Sequence, residues 1–251
     1  MLSKTFSVIF RNWIFYAWLI VCGLAASIFD EYMQKNTLNN TMLIVWILLA
    51  LYVHVAVLYQ TDFGGILKKQ PMVQKKFFPF TWRFLVLGGI ALATAFVGTL
   101  LLLGGFKSLG GGHAQALFLL IYLLIFAIIY ISILALVGTW LPAAVFGEKT
   151  TFRDAIARGW PVFFPTFWHL LFATMAFEFV SLAVVFGGVA LLPSGILLRD
   201  GTPNIPMMLV VSLSLLLQAV AITYVAVVLS SVYLSREDIT SATASNPTLA
   251  A

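Results

Sequence analysis

Charge is what this chain has least of. Only 9% of its 251 residues are Asp, Glu, Lys or Arg, against roughly 25% in an ordinary soluble domain. Fourteen basic and nine acidic side chains cannot give a 27.6 kDa globule a water-compatible surface. With 62% apolar residues and a mean hydropathy of +1.04, the solvent this sequence expects is lipid. Cysteine is nearly missing as well. Cys22 alone excludes, within one chain, a disulfide framework and any zinc or iron–sulfur site built on cysteine. The three histidines, His54, His113 and His169, fall in separate places, so no metal site is expected, and no other cofactor. There is no GxSxG elbow, no phosphate-binding loop, and no serine with a His and an acid nearby in sequence. Enzymatic activity is therefore not expected.

A basic stripe is also missing. The net charge of +5 comes from residues clustered in loops beside apolar runs, which speaks for membrane topology and against nucleic acid as a partner.

What the chain has instead is six apolar runs, at about 13–29, 42–59, 80–103, 115–138, 166–192 and 205–234. Each is near the roughly 20 residues that a spanning helix needs. Lys4 and Arg11 ahead of the first run resemble the start of a signal peptide, with Gly23 and Ala25 as small residues for cleavage. The run is long, however, and Trp13, Phe15, Tyr16 and Trp18 form an interfacial belt, so it reads as a retained first span. With the N-terminus inside, the inner set of cations is Lys4, Arg11, Lys68, Lys69, Lys75, Lys76, Arg83, Lys149, Arg153, Arg158 and Arg236; the outer set is Lys35, Lys107 and Arg199. Eleven against three predicts both termini in the cytoplasm.

The inner loops repeat. Phe77-Phe78-Pro79-Phe80-Thr81-Trp82 and Phe163-Phe164-Pro165-Thr166-Phe167-Trp168 share the pattern FFPxxW, each after a basic segment and just before a span. Trp13-Ile14-Phe15-Tyr16-Ala17-Trp18 is a looser copy without the proline. The expected fold is therefore an all-α membrane protein of six transmembrane helices. These form three helix hairpins, at about 1–67, 68–149 and 150–236, with short amphipathic helices leading into them on the cytoplasmic side. They make one domain over 1–236, and 237–251, polar and small, reads as a disordered cytoplasmic tail.

One inner loop carries more than the rest. Thr151 and Asp154 can cap a short helix in which Phe152, Ala155, Ile156 and Trp160 form an apolar stripe, with Arg153, Asp154 and Arg158 away from it. Such a helix suits the headgroup zone, with its cations toward anionic lipid. Pro161 and Pro165 are expected to break it, and Pro142 to end the fourth span. The lipid-facing or partner-facing residues are then Arg153, Arg158, Trp160 and Trp168 here, and Lys68, Lys69, Lys75, Lys76 and Trp82 in the preceding inner loop.

Leu141-Pro142-Ala143-Ala144-Val145, Glu148, Phe152-Arg153-Asp154-Ala155, Arg158-Gly159-Trp160 and Phe167-Trp168-His169-Leu170-Leu171 together resemble a bacterial pattern, LPA…E…A…RSW…FW. It belongs to the membrane domain attached to some glycerophosphodiester phosphodiesterases and to related multi-span proteins. Two departures are Gly159, where that pattern usually has Ser, and Pro161 after the Trp. The resemblance implies an integral membrane domain and no activity, since the phosphodiesterase chemistry resides in a separate barrel. The same loop is also partly similar to the coupling loop of ABC permeases, through Asp154, Ala155 and Gly159. There the spacing is one short, and His169, Leu171 and Phe172 stand where Ile, Leu and Pro are wanted.

Ionisable or strongly polar residues inside spans are costly and mark candidate sites. Here they are Glu178 in the fifth span, Gln218 at matching depth in the sixth, and His54 in the second. Glu178 and Gln218 are expected to hydrogen-bond if their helices touch. Two functions follow: a non-enzymatic scaffold, assembly factor or accessory subunit with lipids and possibly other membrane subunits as partners, or a small transporter or channel using Glu178.

Overall fold

The computed structural model describes the backbone of residues 1–34, 37–68, 70–104, 112–147, 150–192, 197–199 and 202–245. Side chains are described for these except 37–41, 67, 68, 70–72, 102–104, 112–120, 199 and 238–245. The expectations for Lys35, Lys69, Lys107, Glu148 and Lys149 lie outside the described residues, as do the side chains of Lys68 and His113.

The described chain is almost entirely helical: α1 Leu2–Arg11, α2 Trp13–Met33, α3 Thr37–Leu58, α4 Phe63–Lys68, α5 Gln70–Gly104, α6 Gly112–Val137, α7 Trp140–Phe146, α8 Phe152–Gly159, α9 Phe163–Leu191 and α10 Ile205–Ser245. A two-stranded hairpin, β1 Leu198–Arg199 against β2 Thr202–Pro203, precedes α10. Four helical stretches are long and apolar enough to cross a membrane: Trp13–Met33, Val73–Leu101, Phe152–Leu191 and Ile205–Glu237. A fifth crossing is open to the bent pair Ile121–Val137 and Trp140–Phe146, which turns by 48° at its break. Met42–Leu58 is apolar but shorter.

Proline placement differs from expectation at three points. Pro79 sits inside α5, which starts at Gln70, well before the expected span. Pro165 lies in the first turn of α9 and Pro142 in the first turn of α7, where a missing N–H has no carbonyl waiting for it. The break before α7 falls instead at Gly138 and Thr139. Between α8 and α9 the chain makes one 3₁₀ turn, Trp160–Val162, with Pro161 in it, so the helical path bends there without stopping. Phe152–Leu191, 40 residues in all, would rise about 60 Å, twice the roughly 30 Å hydrocarbon thickness. The 29 residues of α9 are enough for one crossing without α8 and its three charges.

By contacts the chain groups into two compact units: Met1–Gln74 with Phe172–Ser231, and Lys75–Leu171 with Val232–Ala251. These boundaries do not follow the three hairpins of the repeat. The first unit has a core of Leu49, Leu51 and Val53 from α3, Tyr16 and Leu19 from α2, and Val227 and Leu229 from α10. At one end Asn12, the single residue between α1 and α2, donates to the Val8 carbonyl at 2.7 Å and accepts from the Phe63 N–H at 2.7 Å. Asp62 caps α4 by accepting from the Gly65 N–H at 2.6 Å. Phe63 packs edge-on against Phe15 at 4.9 Å and stacks on Tyr16.

Of the expected tail, residues 246–251 lie outside the described residues. Residues 237–245, expected to be disordered, continue α10 to Ser245, because no helix breaker occurs before Pro247 and Glu237 is anchored by a cation described below.

Candidate functional site

Polar chemistry gathers once in each unit. In the second unit it surrounds α7 and α8. Trp140 opens α7, its indole N–H donating to the Thr150 carbonyl at 3.0 Å. Arg83 of α5 donates to the Trp140 carbonyl at 2.6 Å and, more distantly, to the Thr150 hydroxyl, while its guanidinium lies 4.9 Å from the Trp140 ring centre. One cation thus fastens both ends of the 140–150 segment. Between those ends Leu141, Pro142, Ala143, Ala144 and Val145 are all buried. Gly147 ends α7 at φ 95°, a left-handed conformation that glycine adopts without strain. The Lys76 ammonium lies where a Cβ on Gly147 would be, beside the C-terminal carbonyls of α7, which favour a cation.

α8 then begins with a complete capping box. The Thr151 hydroxyl and backbone N–H both donate to the Asp154 carboxylate at 2.7 Å, and the Asp154 N–H returns to the Thr151 hydroxyl. These hydrogen bonds hold the exposed Asp154 carboxyl below the usual carboxylate range, the side-chain bond first and the backbone bond second. The Phe152 ring meets Trp140 edge-on at 5.5 Å.

The stripe expected to face lipid splits in two. Ala155 and Gly159 are buried against α6, so closely that a Cβ on Gly159 would strike the Leu136 carbonyl. That contact turns the helix so that Arg158 points inward, donating to Glu237 at 3.0 Å and lying 5.3 Å from the Tyr233 ring centre. Arg158 is therefore an internal tie and not the surface cation the sequence suggested. Arg153 is exposed, as are Trp160 at 71%, Phe164 at 70% and Trp168 at 48%. Lys75 and Trp82 are exposed too.

In the first unit α10 carries a ladder of polar contacts, each to a different helix. The Ser214 hydroxyl pairs with Ser181 of α9 at 2.8 Å. Thr223 pairs with the Tyr16 hydroxyl of α2 at 2.7 Å. Ser230 lies 2.7 Å from Nδ1 of the buried His54 of α3. Ser214 and Thr223 are nine residues apart, half a turn out of phase, whereas Thr223 and Ser230 share a face. One helix therefore addresses α9 on one side and α2 with α3 on the other.

The three sequence candidates are not gathered. His54 bonds to α10 twelve residues below Gln218, roughly 18 Å along the axis. The Gln218 amide turns to Ser214. Glu178 is half-buried, with no hydrogen bond or ion pair among the described residues. One turn before it, the buried Thr174 hydroxyl also has no partner among the described residues. Sequence reasoning missed Asn12, Arg83 and Glu31. The Glu31 carboxylate, at the end of α2, accepts the Leu197 and Leu198 N–H groups at 2.8 and 2.7 Å and so holds the hairpin before α10. Its signal was available, as Asp30 and Glu31 are the first acids of the chain and stand at the end of an apolar run.

Compared with protein-family models, curated proteins and solved structures, the chain finds no match.

Proposed function

We propose that this chain is a non-enzymatic, multi-pass protein of a bacterial inner membrane that serves as a scaffold, assembly factor or accessory subunit, docking its partner through the outer side of α8. Six crossings with both termini cytoplasmic fit its helices. α3 has 22 residues and rises about 33 Å, the bent α6–α7 pair supplies another crossing, and the excess of cations on alternate loops sets the direction. The resemblance to the membrane domain of glycerophosphodiester phosphodiesterases points the same way, to an embedded domain without chemistry of its own.

The observation that carries the docking reading is the division of labour around α8. Its inner residues, Ala155, Arg158 and Gly159, are all taken by internal contacts. Arg153, Trp160 and Phe164 are left exposed along the same stretch of chain. Exposed aromatics next to a cation are the composition of binding hot spots and of headgroup contacts. The test is purification of the full chain in a gentle detergent, as the natural sequence and as Arg153→Glu with Trp160→Ala. A stoichiometric membrane partner held by the first and lost by the second supports the reading. The same partner on both variants overturns it.

A second reading rests on Glu178. A half-buried carboxyl with no partner among the described residues, one turn from a hydroxyl likewise without one there, is where a small transporter would take a proton or ion. Solute or proton flux in proteoliposomes that is abolished by Glu178→Gln would establish it.

A further inference from the structure

The face of α1 that none of the described residues covers is the strongest unexplained surface. Around this helix three sectors follow one another. Thr5, Val8 and Ile9 face the first unit, with Thr5 and Ile9 buried. Leu2, Phe6 and Phe10 form the next sector, all exposed, Phe10 at 72%. Ser3, Lys4, Ser7 and Arg11 complete the circle and are exposed as well. The helix carries two cations and no acid, and the first acidic residue of the chain is Asp30.

We propose that α1 is an interfacial helix that lies on anionic lipid at the foot of the first span. The occupant is argued from continuity. Exposed apolar residues stand on both sides of the junction, Phe6 and Phe10 before it and Trp13, Ile14 and Trp18 of α2 after it. Asn12 fixes the junction between the two helices by holding Val8 and Phe63 at once. A surface that bathes α2 in acyl chains therefore meets Phe10 and Phe6 at its edge, while Lys4 and Arg11 emerge on the headgroup side. The inference rests on the membrane reading of α2 proposed above.

The test uses the full chain in phosphatidylcholine vesicles with and without phosphatidylglycerol. Nitroxide labels are placed at Cys22 of the natural chain and, in a Cys22→Ser background, at Phe6→Cys, Phe10→Cys or Ser7→Cys. Collision with oxygen, which concentrates in lipid, is compared with collision with a water-soluble nickel chelate. Labels at positions 6, 10 and 22 are expected to have an oxygen-to-nickel ratio severalfold above that at position 7. Lys4→Gln with Arg11→Gln is expected to lower the ratio at position 6 in the anionic vesicles. Equal nickel access at positions 6, 10 and 7, with position 22 still in lipid, overturns the proposal alone. So does spin–spin broadening at position 6, which would put a second copy on this face. Nickel access at position 22 removes the spanning reading itself.

Discussion

Arg158 donates to Glu237 at 3.0 Å across 79 residues of sequence, joining α8 to the last turns of α10. The pair is partly exposed, with side-chain accessibilities of 16% and 37%, so its loss costs about 1 kcal/mol or less. Its local effect is larger. Glu237→Gln is expected to raise amide exchange and proteolysis over 233–245 with little change in overall unfolding. Arg153→Glu, on the exposed side of the same helix, leaves that protection unchanged.

Glycines separate by what stands opposite them. Gly159→Ala places a methyl on the Leu136 carbonyl, a backbone atom that cannot rotate away, and is expected to destabilise by about 1–3 kcal/mol. Gly188→Ala meets the Val210 methyls and should cost less, because a side chain gives way. Gly89→Ala faces open space and should be neutral or slightly stabilising, since alanine is the better helix former. Thermal unfolding in detergent ranks the three, and an intact Gly159→Ala protein would contradict the tight α6–α8 approach.

The capping box carries a pH dependence. Because the Asp154 carboxyl is held below its ordinary value in the folded chain, its contribution is present above the unfolded pKa and lost as pH falls through the folded one. Hydrogen exchange at the first amides of α8 should accelerate on acidification of the natural chain. With Asp154→Asn this step should be absent.

The ladder on α10 predicts modest, separate losses. Ser230→Ala leaves His54 without one partner, and Tyr16→Phe leaves Thr223 without another. Interhelical hydrogen bonds inside membranes average about 0.6 kcal/mol, so each substitution should lower unfolding stability by about that much. Their contacts lie on different helices, and the double variant should be close to the sum.

Helix content was legible from composition and run length, and the capping box from Thr151 and Asp154 alone. Prolines misled, because their effect depends on the turn they occupy: Pro142 and Pro165 fall in first turns where no hydrogen bond is lost. Glycines give no sign of what they will meet: a Cβ on Gly23 would meet Leu215 and Met42 and one on Gly188 would meet Val210, whereas Gly89 and Gly187 have open space before them. Periodicity names the faces of a helix without saying which one meets protein, so Arg158 looked like a surface cation until Gly159 fixed the rotation of α8. Pairs such as Arg83 with Trp140 or Glu31 with Leu197 join distant residues, and a single sequence holds no record of that distance.

The most direct test of the account is to recover the full chain from its native membrane in gentle detergent and weigh the complex. The account predicts a stoichiometric protein partner, retained by the natural chain and by Glu178→Gln and lost by Arg153→Glu with Trp160→Ala. A partner-free oligomer that moves solute in liposomes, and stops when Glu178 becomes Gln, would contradict it.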